Sequence, residues 1–163
     1  MKTLLLMRHA KSTHKDPSLP DHDRPLNTRG ERDAPRMGRR LRAENLMPDF
    51  IVSSPAKRAL ATAEAVAVAS HYASALVVAA DLYPGEPAAF VRVLSHLPEK
   101  CHRVLIVGHN PGLEMFIGEL TGTAEALPTA AVAVVDLPIE RWQEFCQETR
   151  ATLRHVWRPR EVE

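Results

Sequence analysis

Aromatic side chains are scarce in this chain. Phe, Trp and Tyr together make up 5% of its 163 residues. A core here has to be built from Leu, Val, Ile and Ala. Cysteine is scarcer still: Cys101 and Cys146 stand far apart and outside any Cys-x-x-Cys spacing, which excludes a disulfide scaffold and a zinc ribbon. Neither opens the Cys-x5-Arg loop of a cysteine phosphatase, because Val107 and Thr152 occupy the positions the arginine would need. Long hydrophobic runs are also missing. The apolar stretch after Lys2 is interrupted at Arg8 and is too short for a signal peptide or a membrane span. A cytoplasmic location without membrane contact is the expectation. Charge of one sign is absent too, since the formal net charge is +1, so the chain is no polycation built for nucleic acid.

What remains is the composition of an ordinary globular protein, 45% hydrophobic and 25% charged. The length suits one domain, residues 1–163, with a real core. The run from Lys2 to Arg8 shows almost no polar alternation, as a central strand covered on both faces would. A long loop rich in Pro, Asp and His follows, from Ala10 to Asn27, and loops of that length are usually functional or mobile. Thr28-Arg29-Gly30-Glu31 has the form of a capping box and predicts a helix from about Thr28 to Asn45. Pro35 inside it predicts a kink or a later true start.

Further along, Asp49 to Ser53 reads as a second buried strand. Ser54 and Pro55 read as N-cap and first position of a helix to about Ala69. A third strand is expected over Ala75 to Ala80, a turn over Tyr83 to Pro87, and a helix from Ala88 to Leu97. The strand Arg103 to Val107 leads into a helix between about Pro111 and Gly122. A strand over Ala130 to Leu137, a short helix over Ile139 to Glu148 and an edge strand over Thr152 to Trp157 complete the order. Strands alternating with helices predict an α/β fold, a three-layer α/β/α sandwich on a mostly parallel sheet.

Two of the apolar strands end in histidine. The first reads Leu4-Leu5-Leu6-Met7-Arg8-His9, and the second Val104-Leu105-Ile106-Val107-Gly108-His109-Asn110-Pro111-Gly112. In an open α/β sheet the carboxyl ends of the strands form the ligand crevice. A neutral imidazole can attack phosphorus, and nearby cations keep it neutral by lowering its pKa, which makes His9 beside Arg8 a candidate nucleophile. A third segment, Ser53-Ser54-Pro55-Ala56-Lys57-Arg58, turns a buried strand into a helix and places Arg58 in its first turn, where free amides and the helix dipole already favour anions. His109 can donate to phosphoryl oxygens as charge builds on them, and amides near Asn110 can point the same way. Each signal alone has an ordinary structural explanation; their combination points to phosphoryl transfer.

These three segments, Arg8-His9-Ala10, Ser53-Ser54-Pro55-x-x-Arg58-Ala59-x-x-Thr62-Ala63 and Gly108-His109-Asn110, resemble the motifs of the histidine phosphatase, or phosphoglycerate mutase-like, superfamily. The short length and Asp23-Arg24-Pro25-Leu26-Asn27 are similar to its small SixA-type phosphohistidine phosphatase branch. The resemblance implies transient phosphorylation of His9, with Arg8, Arg58 and His109 around the phosphoryl group, Arg24 as a further phosphate contact, and neither metal nor cofactor. It implies as substrate a phosphorylated protein carrying phosphohistidine, or else a small phosphorylated metabolite. Ala10 replaces the family's usual glycine. Where many relatives carry a glutamate general acid, this chain reads Leu82-Tyr83-Pro84, with Glu86 as the nearest substitute. The lack of a strong acid there tilts the substrate towards phosphohistidine on a protein, whose imidazole leaves readily once protonated, or towards activated esters.

Two other groupings carry less. His14, Asp16, Asp21, His22 and Asp23 cluster in the first long loop without tight metal-ligand spacing, and read as a polar rim. Arg29, Arg32, Arg36, Arg39 and Arg40 form a basic stripe on the first helix, usually a solvated face, able to steer an acidic or phosphorylated protein. The rival reading from another class is a non-catalytic phospho-ligand or nucleic-acid binding module; a nucleophile-grade histidine is something such a module does not need.

Overall fold

The computed structural model describes residues 1–162. Its centre is β1, Lys2–Arg8, whose side chains alternate between two cores. Leu4 and Leu6 belong to one buried cluster, and Leu5 and Met7 to the other. All four are fully buried, which is why the sequence shows an unbroken apolar run instead of alternation.

Six strands form one sheet. After β1 come β2 (Phe50–Ser53), β3 (Val77–Val78), β4 (Arg103–Gly108), β5 (Val132–Leu137) and β6 (Thr152–Trp157), in the spatial order β3-β2-β4-β1-β5-β6. The pairs β1–β4, β2–β4 and β2–β3 are parallel, while β5 runs antiparallel to β1 and to β6. Five of the six strands thus point one way. Helices α1 (Thr28–Ala43) and α2 (Lys57–Ala69) cover one face through Met37, Leu41, Ala59, Ala63 and Val66. Helices α3 (Pro87–Ser95) and α4 (Gly112–Thr121) cover the other through Phe90, Leu94, Leu113, Phe116 and Ile117. Phe90 and Phe116 stack with centroids 5.0 Å apart. The result is the three-layer sandwich with a mostly parallel sheet that the order of elements predicts.

Several local expectations need correction. Asn27, not Thr28, caps α1: its side chain accepts the Gly30 N–H at 2.9 Å, and Thr28 is already helical. Pro35 lies inside the continuous helix, so it does not delay the start. α2 begins at Lys57 instead of Pro55, with Ala56 in the cap position. The Ser54 hydroxyl does reach the Ala56 N–H, at 3.2 Å, but its shorter bond is to His109. The third strand shrinks to Val77–Val78, an exposed edge, because residues 80–82 tighten into a 3-10 turn. The helix expected over Ile139 to Glu148 is a single 3-10 turn, Trp142–Glu144. There the Glu99 carboxylate accepts the N–H groups of Trp142 and Gln143, and the Trp142 indole donates to the Cys101 carbonyl at 2.7 Å. Burial of that one large side chain outweighs local helix propensity. Among the described residues no helix is long and apolar enough to cross a membrane.

Candidate active site

The register of β1 and β4 brings the two histidines together. Arg8 pairs with Gly108, so His9 and His109 are the next residues out of adjacent parallel strands, and the His9 N–H bonds the Gly108 carbonyl at 3.0 Å. Their ring centroids are 5.1 Å apart. Both are nearly enclosed, His9 at 7% and His109 at 5% exposure. β2 ends beside β4, and Arg58 in the first turn of α2 enters the same hollow.

The contacts of His9 define its chemistry. Its Nδ1 faces the Ala10 carbonyl oxygen at 2.7 Å. A carbonyl only accepts, so Nδ1 carries the hydrogen and Nε2 keeps its lone pair. The Arg58 Nε–H approaches that Nε2 at 3.4 Å. Burial first, then the positive charges of Arg58, Arg8 and Arg24, lower the His9 pKa to about 4, against the opposing Ala10 hydrogen bond. His109 is lowered further, to about 3, by burial, then by His9 and Arg58. Both imidazoles are neutral at physiological pH. The Nε2 of His109 pairs with the Ser54 hydroxyl at 2.7 Å, while its buried Nδ1 has no partner among the described residues.

Thr62 ties the nucleophile loop to α2. Its hydroxyl donates to the Arg58 carbonyl at 2.7 Å and accepts the Ala10 N–H at 2.9 Å. One side chain therefore fixes the backbone on either side of the His9–Arg58 contact. On the other side, the Arg8 guanidinium donates to the Leu127 carbonyl at 3.2 Å, and its buried Nε has no partner among the described residues. Gly112 lets α4 start against the loop after Tyr83, because a side chain there would collide with the Gly85 carbonyl. Gly85 itself has φ +83, a conformation glycine adopts freely.

The long loop folds back over the hollow. Arg24 reaches the Ser12 hydroxyl at 2.7 Å and His14 Nε2 at 3.0 Å, and grips Asp21 Oδ1 with Nε at 3.0 Å and a terminal nitrogen at 2.9 Å. Arg58 donates to the Asp21 carbonyl at 2.6 Å and to its carboxylate at 2.9 Å, and the Tyr83 hydroxyl donates to the same carboxylate at 2.7 Å. That carboxyl is held far below the usual carboxylate range, first by Tyr83 and then by the two arginines. Asp21, Tyr83 and Ser54 are thus site residues that the sequence pattern does not single out. Asp21 looked like one of several rim acids, Tyr83 like part of a turn, and Ser54 like a cap.

Of the residues singled out in the sequence, His9, Arg58 and His109 converge, with Arg8 and Arg24 close enough for their charge to act on His9. Two others bring no side chain to them. The Asn110 side chain is committed elsewhere: its amide donates to the Leu127 carbonyl at 2.9 Å, and its oxygen accepts the Glu114 N–H at 3.2 Å. Glu86 is exposed at the N-cap of α3 without a capping bond. It lines a neighbouring cavity of about 700 Å³ with Pro84, Pro111 and Met115, which His9, Arg58 and His109 do not line.

Residues 4–82 match the model of the histidine phosphatase superfamily (branch 1). An uncharacterized protein of Mycobacterium tuberculosis is 32% identical over 142 residues, which span 79% of this chain and 85% of that one. The structure of the protein histidine phosphatase SixA complexed with tungstate superposes with a TM-score of 0.84 at 25% identity, covering 98% of both chains. The putative phosphohistidine phosphatase SixA of Agrobacterium tumefaciens does so with a TM-score of 0.82 at 25% identity, over 97% of this chain and 98% of that one. A buried imidazole pair at adjacent strand ends, faced by arginine from the next helix, agrees with what these likenesses establish: the chain belongs to the histidine phosphatase superfamily, on its SixA-like side.

Proposed function

We propose that the chain is a phosphatase working through a phosphohistidine intermediate on His9, with phosphohistidine of a protein as its substrate. The observation that carries this reading is the state of His9. A neutral imidazole is buried at a strand end, its Nδ1–H tied to a carbonyl and its Nε2 lone pair directed at the site where Arg58 and His109 meet.

Nε2 attacks phosphorus in line, the bond to the leaving group breaks, and the phosphoryl group passes to His9. Water then attacks the phosphorus, releasing inorganic phosphate and restoring the imidazole. Arg58, Arg8 and Arg24 offset the negative charge of the phosphoryl oxygens, and the unpartnered Nδ1 of His109 is available to them as a donor. Catalysis by this set is positioning plus charge stabilisation, with no step that needs a metal. A protein histidine phosphatase SixA of this fold forms a complex with tungstate, a tetrahedral oxyanion, which supports oxyanion chemistry for this fold.

Proton supply supports this substrate class. Asp21, the carboxylate bound into the site, is held ionised by Tyr83, Arg24 and Arg58, and Glu86 lines a different cavity. Leaving groups that need a strong internal acid are disfavoured. The imidazole of phosphohistidine leaves after taking a proton from water. The test compares wild type with His9→Ala on a phosphohistidine peptide and on an alkyl phosphate ester. Wild type is expected to prefer the peptide, and His9→Ala to lose about 10³-fold or more in turnover. Equal rates for the two proteins would remove His9 as nucleophile, and a preference for the alkyl ester would shift the substrate to small metabolites.

A further inference from the structure

The basic stripe of α1 closes into a cavity. Arg29, Arg32 and Arg36 line a hollow of about 350 Å³ together with Asp33, Pro159 and Arg160. Arg160 comes from the 3-10 turn Pro159–Glu161, remote in sequence, and this turn is held to α1 where Arg36 donates to the Pro159 carbonyl at 3.5 Å. Four arginines and one carboxylate therefore line one hollow.

That carboxylate organises the site. Asp33 is 2% exposed, and three arginines surround it: Arg29 Nε at 3.5 Å, Arg32 Nε at 3.4 Å and Arg36 at 3.8 Å. Arg29 and Arg32 use their Nε edges on it. Their terminal nitrogens, and the whole Arg160 guanidinium, have no hydrogen-bond acceptor among the described residues. A solvated helix face spreads its cations apart; here a buried acid gathers three and a distant turn adds a fourth.

We propose that this cavity binds the phosphate chain of a small di- or triphosphate. The positive excess calls for a ligand with several negative charges. Guanidinium forks suit phosphate oxygens. The lining offers no aromatic platform for a base, so the phosphate chain is the recognised part and any organic remainder points to solvent. The volume lies at the lower end of small-ligand sites and is concave, which fits a compact polyanion better than a nucleic-acid backbone. The cavity shares no lining residue with the His9 site, and the inference does not depend on the reaction proposed there.

The experiment is calorimetric titration with inorganic tripolyphosphate at 0.15 M salt, on wild type, Arg58→Ala and the double variant Arg32→Ala/Arg160→Ala. Ester hydrolysis by the double variant serves as the folding control and is expected to match wild type, since neither residue belongs to the catalytic site. Arg58→Ala is expected to retain a saturable binding event that the double variant weakens at least tenfold, with orthophosphate binding at least tenfold more weakly than tripolyphosphate. The same event with ATP would support recognition through the phosphate chain. Loss of binding in Arg58→Ala with retention in the double variant would overturn the proposal. So would the lack of saturation below 1 mM, or a nucleic-acid duplex that displaces tripolyphosphate at lower phosphate concentration.

Discussion

Burying two neutral histidines gives this protein a pH-dependent stability that can be worked out in advance. His9 is lowered to about 4 and His109 to about 3, both chiefly by burial. In the unfolded chain both titrate near the ordinary value of about 6.5. Between these limits the unfolded chain binds protons that the folded protein refuses, so acid favours unfolding. The loss begins as pH falls through about 6.5 and levels off below the folded values. From pH 7 to pH 5 each histidine is expected to remove about 2 kcal/mol, roughly 4 kcal/mol together. Asp21, depressed in the folded state, adds stability that is lost only when pH falls below the unfolded carboxylate value of about 4, so it stays outside this window. Urea unfolding at pH 7, 6 and 5 measures the loss, and the same series on His109→Gln should show about half of it. Wild-type stability changing by less than about 0.5 kcal/mol over this range would refute the reasoning, because the imidazoles would then not be buried in neutral form.

Two further outcomes are expected. Thr62→Val keeps the side-chain shape but leaves the buried Ala10 N–H and Arg58 carbonyl without their shared partner. It should cost about 1–3 kcal/mol, or about 2–4 °C in melting temperature per kcal/mol, and a melting point within about 1 °C of wild type by calorimetry would contradict this. Asp21→Asn removes the charge that occupies one terminal nitrogen of Arg58, which a phosphate must also use, and leaves the other on the Asp21 backbone carbonyl. KM for a phosphate ester is expected to fall roughly threefold with kcat little changed; steady-state kinetics showing a rise in KM would make Asp21 a brace for the arginines instead of a competitor.

The sequence carried the layering and most of the chemistry because both follow from short-range patterns. A short apolar run without alternation suits a strand covered on both sides, and β1 spans Lys2–Arg8 as that run predicts. Histidines placed immediately after two such runs must emerge at strand ends. Whether they meet depends on strand order, and only the tertiary structure seats β4 directly beside β1 in the register that pairs Arg8 with Gly108.

Other parts of the site lie beyond any local signal. Asp21 reaches Arg58 across 37 positions, and Tyr83 reaches Asp21 across 62. Nothing near Asp21 in the chain separates it from Asp16 or Asp23, since what singles it out is the loop's return over α2. The Asn110 side chain shows the converse: its neighbours in sequence suit a phosphate site, but the chain packs Leu127 close enough to take the side-chain amide. Identity and spacing of residues set the kinds of group available, because local sterics and burial act over a few positions. Which groups touch is decided by long-range packing, because a hydrogen bond needs its partner within about 3 Å and the chain brings that partner from anywhere.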